Sequence, residues 1–410
     1  MIPTITVDGP IEDQRAINSF IYYIWGSTHP EANRPPGPFG LSNERYIGHV
    51  FWDADIWLFP ALCLLDPDRA KVIPTYRLRM ADAARAQAKA WIESCRRTAY
   101  KAVSAPLPAT AAKALMYPWE SSVSGRETSA TKTRFEHHIT GDVLWGLTQA
   151  EALGLADPDK VRPVAEGCKA FWEARSRKGS DGLFRIEGLI SPDENSICDN
   201  DLYTNLLAQW TRNGRSFDGP IRYALPHDAT GFLTYDKDLL RSYEQATAVL
   251  AIYPLQYPPA EAQARAMMDR FESKISQNGP AMSDAIHSII WARLGDQEKA
   301  YDRWRRSWQD FTKGPLMLFS ERRNKSVTYF TTGAAGCLQA VLYGFAGFRI
   351  DSHPVPKAAW TRRLKGGMWL SVRPCLPQAW RSLTIRNFTV LGHRYTLNVT
   401  HERATVSPGD

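Results

Sequence analysis

The chain has 410 residues, of which 44% are hydrophobic and 23% are charged. These fractions are typical of folded globular proteins and exclude an intrinsically disordered chain. The formal net charge is +7, but basic and acidic residues are interspersed, and the densest basic runs, at 303–306 and 362–365, are short. Because this pattern is typical of a solvated surface of mixed charge, we expect no nucleic-acid partner.

No apolar run approaches the ~20 residues that a membrane span needs, and the chain does not open with a basic and then an apolar segment. We therefore expect no membrane partner and a cytoplasmic location. The sequence leaves the oligomeric state open, including a homo-oligomer. It also leaves open whether a leader or a further domain precedes the chain.

The six cysteines show neither a CxxC pair nor a metal-ligand spacing with histidine. Most of them stand in apolar helical stretches, which predicts buried free thiols. The Glu136-His137-His138 sequence invites a metal assignment, but adjacent histidines on a helix point in different directions and no third ligand is spaced to join them. We therefore predict no metal and no cofactor.

Apolar residues with helical spacing dominate the chain up to about residue 348. Ile17, Phe20, Ile21 and Ile24 form the first such stripe. The other predicted helical segments are 52–65, 76–95, 141–154, 160–175, 201–212, 261–275, 282–293, 298–311 and 332–345. Long polar connections separate them, and connections of such length are usually functional, so we expect the site residues there.

After residue 366 the pattern changes to an alternation of period two. The alternating segments are 368–373, 382–386, 388–391, 395–400 and 404–406, and turn residues separate them. This pattern predicts a small antiparallel β module. We predict one mainly helical catalytic domain over residues 1–350, followed by the β module over residues 351–410.

Two glutamates are candidates for chemistry. Glu194 follows Ser191-Pro192-Asp193, and Asp199 or Asn200 is placed to cap the next helix, so Glu194 is expected in a loop that leads into a helix. Glu321 follows a short apolar run, 315–319, which delivers it to the end of a loop. Taken alone, each is better explained as a solvated surface acid, and Glu321 as the ion-pair partner of Arg322 or Arg323.

The 14 tryptophans add a hint about the ligand. Three of them directly precede a carboxylate, in Trp52-Asp53, Trp119-Glu120 and Trp172-Glu173. Sugars present flat C–H faces and a rim of hydroxyls, so sugar sites combine aromatic faces with carboxylate or amide acceptors. The pairs are therefore consistent with a carbohydrate substrate.

Several motifs, all in the same order along nearly the whole chain, resemble those of glycoside hydrolase family 65, the α-glucoside hydrolases and phosphorylases. They are Gly48-His-Val-Phe-Trp-Asp-Ala-Asp-Ile-Trp57, Met116-Tyr-Pro-Trp-Glu-Ser121, His138-Ile-Thr-Gly-Asp142, Ser191-Pro-Asp-Glu194, Asn200-Asp-Leu-Tyr-Thr-Asn205, Gly279-Pro-Ala-Met282 and Gly333-Ala-Ala-Gly-Cys-Leu-Gln-Ala340. The resemblance implies a mainly α fold, an (α/α)6 barrel.

The resemblance also implies roles for individual residues. Glu194 corresponds to the acid that protonates the leaving-group oxygen. Trp52 and Asp53 correspond to residues that hold the terminal sugar, and Trp119 and Glu120 border the leaving-group side. A general acid works at neutral pH when its carboxyl pKa is raised, and an aromatic-walled pocket supplies that desolvation.

The residue opposite the acid separates the hydrolases from the phosphorylases. Glu321 stands in Phe-Ser-Glu, which resembles the Trp-Thr-Glu of the hydrolases. A hydrolase needs a carboxylate that deprotonates water, whereas a phosphorylase binds phosphate with hydroxyls and a cation. We therefore predict an inverting hydrolase, with Glu321 as general base, that removes a terminal α-linked glucosyl-type residue from a di- or oligosaccharide or glycoconjugate.

In such a hydrolase the two carboxylates are expected about 6.5–9.5 Å apart. Two alternatives stay open at this point. One is a disaccharide phosphorylase that depends on inorganic phosphate, and the other is a catalytically inactive sugar-binding protein. The glycosidic linkage and the aglycone are likewise open.

The chain departs from the family pattern in two places. The family's Lys-Gln pair, which holds hydroxyls of the terminal glucose, stands here as Glu244-Gln245. An acceptor in place of an ammonium donor leaves open whether the terminal sugar is plain glucose. The large N-terminal β domain usual in the family is missing from the pattern, so we expect an oligomeric contact or a longer native chain to substitute for it.

Overall fold

The computed structural model describes residues 4–97, 103–104, 106–129, 132–194, 197–238, 240–257, 260–325 and 329–409. Helices dominate as far as residue 339, with short hairpins between some of them, and longer antiparallel strands follow. The α-helices of the described segments are α1 (Ile11–Ser27), α2 (Phe59–Leu62), α3 (Pro67–Ala70), α4 (Val72–Arg79), α5 (Ala81–Arg97), α6 (His138–Ala152), α7 (Pro158–Arg175), α8 (Leu202–Arg212), α9 (Glu261–Phe271), α10 (Ser283–Arg293), α11 (Gln297–Trp308) and α12 (Thr331–Gln339). Every helical segment predicted from periodicity coincides with one or two of these.

Two segments that the periodicity assigns to α-helix are π-helical instead, at Asp53–Leu58 and Ala340–Phe345. A π-turn leaves carbonyls that the i→i+4 ladder no longer serves. The side-chain amide of Gln339 donates to two of them, the carbonyls of Ile56 (3.0 Å) and Trp57 (2.6 Å). A buried side chain from α12 therefore stabilises the first π-helix.

The strands are β1 (Thr4–Asp8), β2 (Arg177–Lys178), β3 (Phe184–Arg185), β4 (Leu189–Ile190), β5 (Ile197–Cys198), β6 (His227–Asp228), β7 (Gly231–Phe232), β8 (Thr312–Lys313), β9 (Leu318–Phe319), β10 (Phe348–Asp351), β11 (Trp360–Arg363), β12 (Trp369–Val372), β13 (Ser382–Val390), β14 (His393–Thr400) and β15 (Ala404–Pro408). β2 to β9 pair as four short hairpins, each of two neighbouring strands. The remaining strands form a three-stranded sheet in the order β10-β12-β11 and a four-stranded sheet in the order β1-β13-β14-β15.

The four-stranded sheet differs from the predicted module in two respects. Its first strand, β1, comes from the other end of the chain and pairs antiparallel with β13, with Ile5 opposite Ile385. The predicted segments 382–386 and 388–391 form one strand, because a bulge at Asn387, where φ is 59°, carries the chain between them. The division into a 1–350 domain and a 351–410 module stays a prediction.

The chain divides into two compact units. Unit 1 consists of Met1–Thr75, Thr148–Asp157 and Gln277–Asp410. In its core the rings of Trp304, Phe345 and Trp380 lie 5.1–5.8 Å apart in edge-on contacts. The buried carboxylate of Asp13 accepts a hydrogen bond from Trp380 at 2.8 Å and pairs with Arg305.

Unit 2 consists of Tyr76–Leu147 and Pro158–Ser276. Helices α5, α7 and α8 contribute to its core, which includes the buried rings of Phe171, Trp172 and Tyr223. All six cysteines are buried and free, as predicted. Within the described segments no helix is both long and apolar enough to cross a membrane.

Candidate active site

Glu321 lies in unit 1, directly after the hairpin of β8 and β9. Phe319 in β9 is fully buried, and Ser320 donates a hydrogen bond to the carbonyl of Phe311 at 3.0 Å. The backbone carbonyl of Glu321 accepts the N–H of Ala281 at 2.9 Å. The apolar run therefore delivers Glu321 to the end of a loop, as predicted.

The side chain of Glu321 is held by two donors that the sequence did not single out. The hydroxyl of Tyr46 donates to Oε1 at 3.1 Å, and Nη1 of Arg45 lies 3.2 Å from Oε2. The Glu321 side chain is 12% exposed and that of Arg45 57%. Burial, followed by the Glu321 charge, raises the pKa of the Tyr46 phenol, so this hydroxyl acts as a donor at neutral pH.

Arg323, one of the two cations next to Glu321 in sequence, has another partner. It binds the buried carboxylate of Asp284 at 2.6 Å, and Arg303 approaches the second oxygen of the same carboxylate at 3.0 Å. Arg322 donates to the carbonyl of Asn278. These contacts fix the loop that carries Glu321 to the start of α10.

Trp52 and Asp53 stand in unit 1 at the start of the first π-helix. Trp52 is buried and contacts Trp57 edge-on, with ring centroids 6.0 Å apart. The partly buried carboxylate of Asp53 accepts a hydrogen bond from the Thr332 hydroxyl at 2.6 Å. Desolvation raises the pKa of Asp53 to about 6. The hydrogen bond from Thr332 lowers this pKa, whereas the Glu321 charge raises it further. Asp53 and Glu321 are therefore close enough to interact electrostatically.

Glu194 lies in unit 2, in the turn that joins β4 to β5. Its backbone N–H donates to the carbonyl of Ser191 at 2.8 Å, and its φ is +60°, in the left-handed region. The carboxylate oxygen Oε1 accepts a hydrogen bond from the side-chain amide of Gln245 at 2.6 Å. The tight turn thus presents Glu194 to Gln245.

Asp193 positions the segment that carries Gln245. Its buried carboxylate accepts the backbone N–H of Glu244 at 2.6 Å and that of Gln245 at 3.1 Å. The side-chain oxygen of Gln245 is buried and accepts no hydrogen bond from any described residue. A buried unsatisfied acceptor is costly, and a ligand hydroxyl would satisfy it.

The helix after Glu194 is capped differently from the prediction. Asp201, not Asp199 or Asn200, is the N-cap of α8, and its carboxylate accepts the N–H of Thr204 at 2.8 Å. Asn200 has a φ of 54°, outside the extended range of an N-cap residue, and its side chain instead accepts the N–H of Ile186 at 2.9 Å.

Trp119 and Glu120 also belong to unit 2, and both are partly exposed. Their backbone N–H groups donate to the two carboxylate oxygens of Glu127, at 2.8 and 3.2 Å. Ser129 donates its N–H to the same carboxylate at 3.1 Å. Glu127 therefore closes the loop on which Trp119 and Glu120 stand.

His138, one of the two adjacent histidines that invited a metal assignment, contacts two carboxylates in the structure. Buried His138 lies between Asp142, 2.6 Å from Nδ1, and Glu136, 3.2 Å from Nε2, and the Tyr203 hydroxyl donates to Asp142 at 2.6 Å. Burial raises the pKa of Glu136 to about 8, and Glu194 contributes to that rise. In the described part of the chain no cluster of His, Cys, Asp or Glu is arranged to hold a metal ion.

Comparison with known proteins gives the class of protein. Residues 20–215 match the glycosyl hydrolase family 65 central catalytic domain, and residues 363–410 match the C-terminal domain of the same family. The chain belongs to glycosyl hydrolase family 65, as its motifs predicted.

Two curated proteins are similar to nearly the whole of this chain. A kojibiose hydrolase of Flavobacterium johnsoniae is 31% identical over 97% of this chain and 57% of its own length. A protein-glucosylgalactosylhydroxylysine glucosidase of Danio rerio is 27% identical over 98% of this chain and 62% of its own length. The chain thus spans about three fifths of the length of these curated relatives.

A solved structure, described as a putative kojibiose phosphorylase from the human microbiome, matches the fold. The TM-score is 0.76 at 16% identity, over 99% of this chain and 63% of that structure. This likeness concerns the fold alone. It confirms the predicted class, an (α/α)6 barrel with a small C-terminal β module.

Proposed function

We propose that the chain catalyses the inverting hydrolysis of a terminal α-linked glucosyl-type residue, with Glu194 as general acid and Glu321 as general base. The observation that carries the proposal is the pair of contacts to the Glu321 carboxylate. A base for water must be held in a fixed orientation, and the Tyr46 hydroxyl and the Arg45 guanidinium each bind one oxygen of this carboxylate. Membership of the family and the resemblance to hydrolases support the same assignment.

The reaction is a single displacement. Water attacks the anomeric carbon from the β face and gives a proton to Glu321, while the bond to the departing oxygen breaks and Glu194 protonates that oxygen. An α-glycoside and water become a β-sugar and a free alcohol. Gln245 fixes one oxygen of the Glu194 carboxyl, which orients the group for proton transfer.

The remaining predicted site residues take binding roles. Trp52 supplies an apolar wall, and Asp53 and the unsatisfied side-chain oxygen of Gln245 accept hydroxyls of the terminal sugar. Trp119 and Glu120 border the leaving group. Glu244 contributes an acceptor where the family's lysine donates.

The choice of substrate follows the relatives. Two of them are a kojibiose hydrolase and a protein-glucosylgalactosylhydroxylysine glucosidase, so we propose a glucosyl residue attached to a second sugar as the substrate. Kojibiose is the first compound to test.

The test is an assay with α-1,1-, α-1,2-, α-1,3- and α-1,4-linked glucose disaccharides, each with and without inorganic phosphate. We expect phosphate-independent release of a sugar that NMR identifies as the β-anomer at the earliest times. Phosphate-dependent release of a sugar 1-phosphate would establish the phosphorylase instead. Saturable binding of a disaccharide without turnover would establish an inactive sugar-binding protein.

A further inference from the structure

The turn that carries Arg45 and Tyr46 has an unusual backbone. Tyr46 and Ile47 have φ values of 58° and 53°, and Gly48 follows at 65°. Consecutive non-glycine residues in the left-handed region are rare, and a β-branched residue there is a true outlier. Ile47 is 77% exposed, so packing of its side chain does not explain the conformation.

Strained backbone of this kind persists where the surroundings require it, often at functional sites. Here the turn directs two neighbouring side chains at one carboxylate, that of Glu321. The Tyr46 ring is fixed by Phe39, which stacks on it at 5.7 Å, and by Phe51, which contacts it edge-on at 5.2 Å. The phenol therefore reaches Glu321 from a fixed position, while Arg45 approaches from the solvent side.

We propose that Arg45 and Tyr46 form an anion cradle: two positioning residues that hold the carboxylate of Glu321 in place and aim it at water. This proposal rests on the role proposed for Glu321 as general base. The bond from each residue is a charge-assisted hydrogen bond, which is stronger than a neutral one. Neither residue needs to contact the sugar.

If Arg45 and Tyr46 form an anion cradle, they should also bind a carboxylate that is not part of the protein. Residues that only stabilise the fold would not do so. In the variant Glu321→Ala we expect the two donors to keep their places and to face a space of carboxylate size. Formate, the smallest carboxylate, should enter there and accept the proton of the attacking water, leaving as formic acid. The affinity for formate then reports on Arg45 and Tyr46 directly.

The experiment measures turnover of α-glucosyl fluoride by Glu321→Ala as a function of formate concentration. Fluoride leaves with little protonation by the general acid, so turnover of this substrate depends mainly on the general base. We expect formate to restore turnover, and the half-saturating formate concentration to rise roughly ten- to hundredfold when Tyr46→Phe or Arg45→Ala is added, as the loss of a hydrogen bond to a charged group predicts. Arg45→Lys should recover part of the loss. Tyr22→Phe and Arg386→Ala, at exposed positions, are matched controls that should not change it.

The outcomes separate the two proposals. Full turnover of Glu321→Ala without formate would refute the role of Glu321 as base. If Glu321→Ala is folded and inactive, but formate gives no rescue, or the same rescue with and without Arg45 and Tyr46, the cradle is wrong while the base assignment stands.

Discussion

The carboxylate of Asp193 accepts the backbone N–H of Glu244 at 2.6 Å. Asp193 directly precedes Glu194, and Glu244 directly precedes Gln245, whose amide binds Glu194 at 2.6 Å. Asp193 also accepts the backbone N–H of Gln245 at 3.1 Å, so these two neighbouring acids bind the Glu244-Gln245 pair both through its backbone and through the Gln245 side chain. This double link fixes Gln245 relative to the proposed general acid.

The first prediction tests this link with a graded series at residue 193. Asp193→Ala removes the acceptor, so kcat/KM should fall about ten- to hundredfold, the range expected for hydrogen bonds to a charged group. Asp193→Asn keeps an oxygen acceptor without the charge and should lie between the wild type and the alanine variant. Steady-state kinetics measures the series, and circular dichroism checks that each variant is folded. Equal activity of all three proteins would show that the link does not position the acid.

A second prediction separates the roles of the two glutamates. Glu194→Gln and Glu321→Gln should each lower kcat by at least ~10²–10⁴-fold on a disaccharide, because each removes one proton transfer. On α-glucosyl fluoride, whose leaving group needs little protonation, Glu194→Gln should recover much of its activity. Glu321→Gln should not, since water still needs a base. Equal recovery in both variants would overturn the assignment of acid and base.

The third prediction concerns the terminal sugar. Glu244→Lys replaces an acceptor by the ammonium donor of the family pattern, so activity should shift toward ordinary α-glucosides. A site that bonds one hydroxyl pattern discriminates against another, because a mismatch leaves a buried polar group unpaired. The measurement is kcat/KM across the disaccharide panel. If Glu244→Lys changes nothing while Gln245→Ala lowers every value, Gln245 alone recognises the sugar and the account of Glu244 is wrong.

The fourth prediction follows from the buried His138 cluster. Although burial alone would lower it, Asp142 and then Glu136 raise the pKa of His138 to about 10, from 6.5. Burial raises the pKa of Glu136 to about 8, from 4.5. Both groups thus bind more protons in the folded than in the unfolded state. The stability that each contributes is complete at pH values below its ordinary pKa, and it is lost as pH rises through its pKa in the folded protein.

Between pH 8 and 10 the loss of stability comes mainly from His138, because Glu136 has already titrated in both states. The Tm of the wild type should therefore fall over this range, and the fall should be shallower in His138→Gln, whatever its absolute Tm. His393→Gln, in which an exposed histidine of β14 is replaced, is the control and should follow the wild type. Parallel Tm curves for His138→Gln and the wild type would show that the cluster does not couple folding to pH.

The periodicity of the sequence predicts the helices and the strands after residue 366, because both patterns repeat over several turns or residues. β1 is missed, since five alternating residues give a weak signal and their partner, β13, is more than 370 residues away. The cap of α8 is misassigned because three candidate residues, 199 to 201, are adjacent and the backbone conformation alone selects Asp201.

In the candidate site, too, the sequence does not reveal contacts between residues that are distant along the chain. Motifs locate Glu194, Glu321 and Asp53, but the contacts that orient these carboxylates come from residues distant in sequence. Tyr46 lies 275 positions from Glu321, and its direction depends on a left-handed turn that no hydrophobic period encodes. One signal was available: Arg45 and Tyr46 stand just before the Gly48-His49 motif.

The discontinuity of unit 1 bears on the order in which the chain folds. Unit 2 is built from residues 76–147 and 158–276, whereas unit 1 joins residues 1–75 and 148–157 to residues 277–410. During synthesis, all of unit 2 leaves the ribosome before the last part of unit 1, residues 277–410, and β1 stays without a partner until β13 appears. Contacts of such long sequence separation form late and slowly. The first residues of the chain, with the edge of an unpaired strand, therefore depend on protection from aggregation for most of translation.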